Sequence, residues 1–334
     1  MFMICGEALY DLFLVEARPD GAMTLDARIG GSPFNLAMGL ARLNRAAGLF
    51  GGISTDPLGE RLTARLEAEG VEPRFLRRKP NLSTISLVAA DAAGVPAYAF
   101  YGVQAADRAL TPEDLPSEAE MAGVKAVHVG SYALVTPPTS EALAALIQRE
   151  SGRESGHEAG RASGGRFFSL DPNLRLNVEP DREVWRRKMA EILPRMDLVK
   201  VSDEDLRLLH PETSAEEIAA AWLALGPALV VVTRGAEGAF ALAAGGARAE
   251  IPAEKIALID TVGAGDSFMA ALLAGLAETG RLDRARLAEI PSEDLAELLR
   301  FCAKASGLTC ARRGADPPRR DELPALSTST PPHP

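Results

Sequence analysis

Short apolar runs alternate along most of the chain with longer stretches in which apolar residues recur every three or four positions. The short runs predict strands, and they are MFMICG, AGLFGGIS, VKAVHVGS, RFFSLDP, DLVKVS and ALVVVTRG. The longer stretches predict helices, and they are PFNLAMGLARLN, PLGERLTARLEAEG, SEALAALIQRE and SAEEIAAAWLALG. Strands that alternate with helices form a largely parallel sheet covered by helices. We therefore predict a doubly wound α/β fold.

Two stretches interrupt this alternation of strand and helix. Residues 12–29 and 73–102 carry turn signals and strand-like alternation, as in LVAADAAGVPAYAFYG, with no helical pattern between the strands. This pattern is typical of antiparallel strands with one face in solvent. We predict a small antiparallel β lid made from these two segments, on a single α/β domain that spans residues 1–326.

Two further segments have no apolar period. Residues 151–165, SGRESGHEAGRASGG, are charged and rich in Gly and Ser, which predicts a flexible surface loop without a catalytic role. The last eight residues, 327–334, read STSTPPHP and predict a disordered tail.

Composition and charge narrow the classes of function. The 334 residues carry a formal net charge of -10, which argues against a general affinity for nucleic acid. Three scattered cysteines, Cys5, Cys302 and Cys310, do not form a disulfide framework or a zinc site and favour a reducing compartment. There is no run of about 18 apolar residues, and no basic segment precedes the apolar start. We expect a cytoplasmic protein without a signal peptide or a membrane helix.

Polar residues follow the predicted strands where each strand ends. They include Glu7, Asp11, Ser131, Asp171, Asn173, Arg175, Ser202, Glu204, Thr233 and Arg234. Each one taken alone is typical of a helix cap or a turn. Ligands of open parallel sheets bind beyond the carboxyl ends of the strands, so the set as a whole predicts a binding site along that edge.

The segment LIDTVGAGDSFMAALLAGLA runs from a strand-like stretch through a glycine-rich turn into a helix. The amides of Gly263, Ala264 and Gly265 can point at one anion, with the positive end of the helix dipole behind them. A resting phosphate would repel Asp266, whereas an aspartate that accepts a proton from a hydroxyl has a function at this place. On this motif alone, a helix cap and a catalytic base stay equally open for Asp266.

A second glycine motif is IGGSPFNLAMGLARLN, in which Gly30 and Gly31 precede a helix that starts near Pro33. Close approach of a ligand explains the paired glycines, and Asn35 offers donors and acceptors to hydroxyl groups. A tight turn with Ser32 as N-cap is the alternative, and the motif alone favours it. The sequence contains no G-x-x-x-x-G-K-[ST] motif, so a P-loop site is not expected.

The motifs DTVGAGD and GGSPFN resemble the two signatures of the ribokinase-like, or PfkB, carbohydrate kinases. The segments GEALYDLF, FYGVQAADRAL, HVGSYAL, DPNLR, KVSDEDL, VTRGAEGA and LTCARRGADPP follow in the order of that family and resemble its fructokinase branch. The resemblance covers nearly the whole chain and implies a ribokinase-like fold with a β lid. It implies ATP-dependent transfer of the γ-phosphoryl group to a hydroxyl of a small sugar, with fructose as the first candidate. A 2-keto-3-deoxygluconate kinase, a nucleoside-type kinase and a non-catalytic sugar-binding sensor stay open as alternatives.

The resemblance also implies a role for each matching residue. Asp266 is the implied catalytic base, and the amides of Gly263, Ala264 and Gly265 are the implied anion hole. Sugar binding is implied for Asp11, Gly30, Gly31, Asn35, Phe100, Arg108, Asp171 and Asn173. Nucleotide binding is implied for Lys200, Ser202, Thr233, Arg234, Gly235 and Gly238, with Lys304 near the adenine.

Cofactors and partners complete these expectations. Glu204 matches the glutamate with which the family organises Mg²⁺, and the resemblance alone implies a monovalent cation, K⁺, near the anion-hole loop. The expected partners are a small sugar and ATP, without nucleic acid or membrane. Open sheet edges invite pairing, so the lid strands predict a homodimer.

Overall fold

The structure is a computed structural model, and it describes residues 1–90, 96–152 and 165–326. Most of the predicted loop 151–165 lies outside the described residues, as do the whole predicted tail 327–334 and residues 91–95 of the predicted lid. None of the helices in the described ranges combines the length and the apolar character that a membrane span requires.

The strands fall into a large sheet and a small one. In chain order they are β1 (Phe2–Cys5), β2 (Leu9–Ala17), β3 (Met23–Gly30), β4 (Ala47–Ser54), β5 (Leu76–Lys79), β6 (Thr84–Ala90), β7 (Pro96–Tyr101), β8 (Ala126–Gly130), β9 (Phe167–Asp171), β10 (Leu198–Ser202), β11 (Leu229–Thr233), β12 (Ala239–Ala243) and β13 (Arg248–Ile251). The large sheet has the order β13-β12-β11-β10-β9-β8-β1-β4-β5, and the small sheet has the order β3-β2-β6-β7.

The large sheet is parallel from β5 to β11 and antiparallel only where β12 and β13 extend it. Parallel strands with helices on both faces confirm the predicted doubly wound α/β fold. All six strands predicted from the apolar runs belong to this sheet.

Helices cover both faces of the large sheet. They are α1 (Ser32–Arg42), α2 (Pro57–Ala68), α3 (Thr139–Glu150), α4 (Arg182–Ile192), α5 (Asp203–Leu209), α6 (Ala215–Leu225), α7 (Ala264–Glu278), α8 (Arg284–Ala288) and α9 (Ser292–Cys310). Strand β1 shows how the two cores arise, because successive side chains of a strand point to opposite faces. Phe2 and Ile4 pack in the core that contains α1, α7 and α9, whereas Met3 and Cys5 pack in the core that contains α3 and α4.

The small sheet, called the lid below, consists of β2, β3, β6 and β7. Its outer pairs, β2 with β3 and β6 with β7, are antiparallel as predicted, but its central pair, β2 with β6, is parallel. The central strands are parallel because each begins a separate segment that leaves the large sheet and runs the same way.

The bounds of the lid differ from the predicted ranges 12–29 and 73–102. The first segment already begins at Leu9, and the second begins only at Thr84. Residues 76–79 form β5 instead, which pairs with β4 at the edge of the large sheet. The turn-rich composition of 73–83 therefore marks an edge strand and a connection rather than the lid.

Candidate active site

A cavity of about 880 Å³ lies between the lid and the carboxyl ends of the parallel strands. The lid contributes Asp11, Ser86 and Phe100 to its lining, and the large sheet contributes Asp171, Ser202 and Thr233 from the ends of β9, β10 and β11. With the exception of the buried Ser131, the polar residues predicted at the strand ends therefore line one cavity, as parallel strands require.

Asp266 lies in the first turn of α7 and faces this cavity. Gly263 is the N-cap of α7, and no side chain caps the helix, so Asp266 does not act as a cap. Instead its two carboxylate oxygens accept hydrogen bonds from Ser32 Oγ at 2.6 Å and from Asn35 Nδ2 at 2.8 Å. These two donors, both from the first turn of α1, fix the orientation of the carboxylate toward the cavity.

The environment of Asp266 also sets its proton affinity. Burial raises the pKa of this carboxyl, while the hydrogen bonds from Ser32 and Asn35 and the charge of Lys200 act in the opposite direction. The net result is a raised pKa. A carboxylate that is held in place and has a raised proton affinity is suited to accept a proton from a hydroxyl.

At the start of α7, the backbone approaches its neighbours closely at two glycines. Gly263 has a left-handed backbone with φ of 76°, and a Cβ there would lie 2.6 Å from the Cβ of Ala315. A Cβ on Gly265 would lie 3.0 Å from Lys200 Nζ. Both glycines line the cavity, and Ala264 stands between them as the first residue of α7. A side chain at position 263 would therefore force Ala315 to shift, and one at position 265 would press on the Lys200 ammonium group.

The paired glycines of the second motif, Gly30 and Gly31, also lie so close to neighbouring atoms that a Cβ would clash with them. Gly31, the N-cap of α1, has φ of 104°, and a Cβ there would lie 2.8 Å from the Glu7 carbonyl oxygen. A Cβ on Gly30 would clash with the Asp11 carboxylate. Because the Ser32 hydroxyl binds Asp266, the alternative in which Ser32 caps α1 is wrong.

A buried ion pair forms the floor of the cavity next to the glycine loop. Lys200 Nζ donates to Asp171 Oδ2 at 2.7 Å, and both side chains are at most 5% exposed. Burial alone would lower the pKa of Lys200, but Asp171, together with the charges of Asp266 and Asp205, outweighs burial and the pKa is raised. The ammonium group therefore stays charged and provides a fixed cation between Asp171 and Gly265.

The lid side of the cavity carries Asp11 and Phe100. Burial raises the pKa of Asp11, against the hydrogen bond from Ser86 and the charge of Arg175. Phe100 packs edge-on against Tyr132, with ring centroids 5.9 Å apart. The lining is therefore mixed, with a carboxylate and an aromatic face, as expected for a site that binds a polar ring.

Two predicted sugar-binding residues, Arg108 and Asn173, have buried side-chain nitrogen atoms. The Arg108 guanidinium stacks 4.9 Å from the centre of the Tyr132 ring, which itself lines the cavity, while Arg108 does not. Asn173 lines the cavity from a left-handed backbone with φ of 43°. Arg108 Nε and Nη2 and Asn173 Nδ2 are buried without a hydrogen-bond partner in the described part of the chain.

Of the predicted nucleotide residues, Lys200 lies in the floor beside Asp171, whereas the others that line the cavity do so from the ends of β10 and β11. Thr233, Arg234 and Gly235 line it, whereas Gly238 closes their loop, because its carbonyl accepts from the Arg234 amide at 2.7 Å. Ser202 also lines the cavity and caps α5 by accepting from the amide of Asp205 at 3.0 Å.

The remaining predicted residues are Glu204 and Lys304. Glu204 is exposed and lines the cavity from the first turn of α5. Lys304 lies outside the lining, and its ammonium group pairs with Glu254 at 2.8 Å. The neighbour of Glu204, Asp205, is buried and lines the cavity too, and burial raises its pKa to about 6.

Sequence reasoning missed several residues of the site. Ser32 was assigned only to a turn, yet its hydroxyl donates a hydrogen bond to Asp266. Tyr132 and Asp205 line the cavity and were not predicted as site residues. Glu7 and Arg175 line it as well, and they were predicted only as members of the polar edge, from their position after predicted strands.

A model of the pfkB family carbohydrate kinases matches residues 1–322. The chain belongs to the pfkB family of carbohydrate kinases. The resemblance drawn from DTVGAGD and GGSPFN is thereby confirmed, and so is the prediction of a carbohydrate kinase.

Curated relatives of this pfkB kinase match it along most of its length. It is 33% identical over 334 residues to a fructokinase of Rhizobium leguminosarum bv. trifolii, with 99% of this chain and 92% of the relative covered. It is 34% identical over 279 residues to a fructokinase of Klebsiella pneumoniae, with 83% of this chain and 84% of the relative covered.

Solved structures share the fold. A fructokinase from Xylella fastidiosa with bound ATP superposes with a TM-score of 0.82 at 24% identity, covering 97% of this chain and 95% of that chain. A fructokinase double mutant from Vibrio cholerae O395, with fructose, ADP and potassium ion bound, has a TM-score of 0.76 at 27% identity, covering 94% and 93%. The ribokinase-like fold of this pfkB kinase is confirmed.

Proposed function

We propose that this pfkB kinase is an ATP-dependent fructokinase. The observation that carries the proposal is the Asp266 carboxylate, held by Ser32 and Asn35 at the mouth of α7, beside the glycine loop and in the same cavity as Asp11. The fructokinases among its relatives and the fructose and ADP in the Vibrio cholerae structure support fructose as the acceptor.

The reaction follows from this geometry. Asp266 accepts the proton of a fructose hydroxyl while the hydroxyl oxygen forms a bond to the γ-phosphorus of ATP. The bond between the γ-phosphorus and the bridging oxygen breaks, and ADP leaves with that electron pair. The amides of Gly263, Ala264 and Gly265 and the nearby Lys200 stabilise the charge on the transferred group. The products are a fructose phosphate and ADP.

The sugar and the nucleotide occupy opposite ends of the cavity in this proposal. Asp11, Gly30, Gly31, Asn35, Phe100, Arg108, Asp171 and Asn173 serve the sugar end. Ser202, Thr233, Arg234, Gly235 and Gly238 serve the nucleotide end, with Lys304 farther out near the adenine.

Magnesium is proposed at the nucleotide end, where Glu204 and Asp205 supply the oxygen ligands that this ion prefers. Within the described residues there is no group of three or more His, Cys, Asp or Glu side chains that would hold a metal. That fits Mg²⁺, which in kinases is bound by one or two carboxylates together with phosphates and water. When bound, the ion neutralises phosphate charge. A K⁺ ion beside the glycine loop is a further proposal, supported by the potassium in the Vibrio cholerae fructokinase.

A homodimer through the lid is proposed as well. Val15 on β2 and Met23 on β3 are large apolar side chains that are 65% and 63% exposed, and β3 is an edge strand. Light scattering across a wide concentration range tests this, and a monomeric mass throughout would contradict it.

The function is tested by ADP release with a panel of ketoses, aldoses, nucleosides and 2-keto-3-deoxygluconate. We expect fructose to give the highest kcat/KM. A higher value for another compound would replace fructose as the acceptor. Calorimetric binding of fructose without ADP release in Mg·ATP would instead identify a sugar-binding sensor.

A further inference from the structure

Glu7 is a buried carboxyl group in the cavity that the proposed reaction does not use. It follows β1, is only 2% exposed and nevertheless contributes to the cavity lining. Its Oε2 atom has no hydrogen-bond partner in the described parts of the chain. A buried carboxyl oxygen without a partner costs free energy. A partner that arrives with a ligand would remove that cost.

The surroundings of Glu7 offer little compensation for it. The Ser131 hydroxyl faces Glu7 and favours its charged form, as does the positive charge of Arg175, while Asp107 opposes it. Burial is the largest influence and raises the pKa of Glu7 to about 7. The carboxyl group is therefore present in both protonation states near neutral pH, and it can donate as well as accept a hydrogen bond.

The position of Glu7 identifies the part of the ligand that it meets. The Gly31 backbone packs against the Glu7 carbonyl oxygen, and the next residue, Ser32, holds the base Asp266. Glu7 thus belongs to the sugar end of the cavity, with Asp11 and Arg175. A carboxyl group repels phosphate, whereas hydroxyl groups bind either of its protonation states. The ligand group that suits Glu7 is a sugar hydroxyl.

We propose that Glu7 is a sugar-binding residue whose carboxyl group hydrogen bonds a hydroxyl of the sugar other than the one that is phosphorylated. The end of a glutamate side chain rotates over a broad range of its last torsion, so either carboxyl oxygen can turn to the cavity. This inference rests on the proposed function, because it takes the acceptor to be a sugar.

The test compares Glu7→Ala and Glu7→Gln with the wild-type enzyme. Loss of a hydrogen bond to a charged group costs about 1.5–3 kcal/mol, so we expect the fructose KM and Kd of Glu7→Ala to rise about 10- to 100-fold. The ATP KM should stay within about twofold, because Glu7 is not at the nucleotide end. Glu7→Gln retains a donor and an acceptor and should show a smaller rise. Unchanged fructose Kd in both variants would overturn the proposal.

Monodeoxy analogues of fructose identify the bound hydroxyl. In the wild-type enzyme, the analogue that lacks this hydroxyl should bind more weakly than fructose, and in Glu7→Ala the same analogue should bind as well as fructose. If every analogue loses the same factor in both enzymes, Glu7 contacts no sugar hydroxyl and the proposal fails.

A control separates sugar binding from a merely structural role. Asp294 is also a buried carboxylate, it pairs with Arg281, and it lies outside the cavity lining. Asp294→Asn should lower Tm and leave the fructose Kd unchanged. If Glu7→Ala behaves in the same way, Glu7 is structural. If the wild-type enzyme prefers another sugar, the same comparison is made with that sugar, so the two proposals fail separately.

Discussion

The two ends of the cavity are built differently. At the sugar end, Asn35, Asp171 and Lys200 are nearly inaccessible to solvent, and each makes a hydrogen bond or an ion pair with another residue of the site. At the nucleotide end, Gly235, Ala236 and Glu237 form an exposed rim. In the proposed reaction, the fixed groups are thus concentrated where a proton moves and charge develops, whereas the rim can stay open to a ligand that carries its own charge and counterion. This agrees with the view that catalysis depends on charge stabilisation fixed in advance.

The largest effect that this comparison predicts is on Asp266. Replacing it with Asn removes the proton acceptor, and because general base catalysis contributes about 10²- to 10⁴-fold, kcat should fall by that factor. Binding of a non-hydrolysable ATP analogue, measured by calorimetry, should be retained. Glu278→Gln, at the other end of the same helix, is the matched control and should leave kcat nearly unchanged. An Asp266→Asn enzyme with wild-type kcat would show that Asp266 is not the base.

The next largest effect is a loss of stability when the buried ion pair between Lys200 and Asp171 is broken. Lys200→Met leaves Asp171 buried without its cation, and breaking a buried pair in this way costs about 3–5 kcal/mol. Urea denaturation should show a loss of this size. Lys188 pairs with Glu191 on the surface of α4, so Lys188→Met should cost at most about 1 kcal/mol. Equal losses in the two variants would contradict the distinction between floor and surface.

Substitution of one glycine at each end, Gly31 and Gly235, tests the difference in rigidity between the two ends of the cavity. Gly31 has φ of 104° and is in contact with the Glu7 backbone, whereas Gly235 has φ of 52° and no atom within 4 Å of the place where a Cβ would lie. We expect Gly31→Ala to cost about 2–3 kcal/mol and to lower kcat/KM for fructose. Gly235→Ala should cost about 1 kcal/mol. A larger loss for Gly235→Ala would show that the rim is the more rigid end.

The smallest effect is a shift of the acid limb of the pH profile. Because burial raises the pKa of Asp266 above 3.8, this carboxylate is protonated, as pH falls, before an exposed aspartate would be. The kcat/KM for fructose should therefore decline at a higher pH than the usual aspartate range, because kcat/KM reports the ionisation of the free enzyme. The residual kcat/KM of Asp266→Asn should lack this limb, and an identical limb in that variant would assign it to another group.

Much of this organisation was predictable from the sequence. The alternation of short and long apolar patterns predicted the parallel sheet, and the glycine-rich turn predicted the start of the helix that carries Asp266. These signals are local, because they depend on periodicity and on backbone conformations that only glycine adopts readily.

The contacts that give the site its geometry were not predictable in the same way. Ser32 and Asp266 are 234 positions apart, and their hydrogen bond depends on how α1 and α7 pack. That Glu204 is exposed while Asp205 is buried depends on the rotation of α5, which is fixed when Leu206 and Leu209 enter the core. The parallel pairing of β2 with β6 depends on the route of two separate segments. Periodicity carries no information on any of these.

A single residue, Gly31, connects the lid to helix α1. Strand β3 ends at Gly30, α1 begins at Ser32, and only Gly31 separates the lid from the hydroxyl that donates to Asp266. A rotation of the lid about Gly31 would therefore move Ser32 and, through its hydrogen bond, the Asp266 carboxylate. In the proposed function, closure of the lid over the sugar would align the proton acceptor by this route.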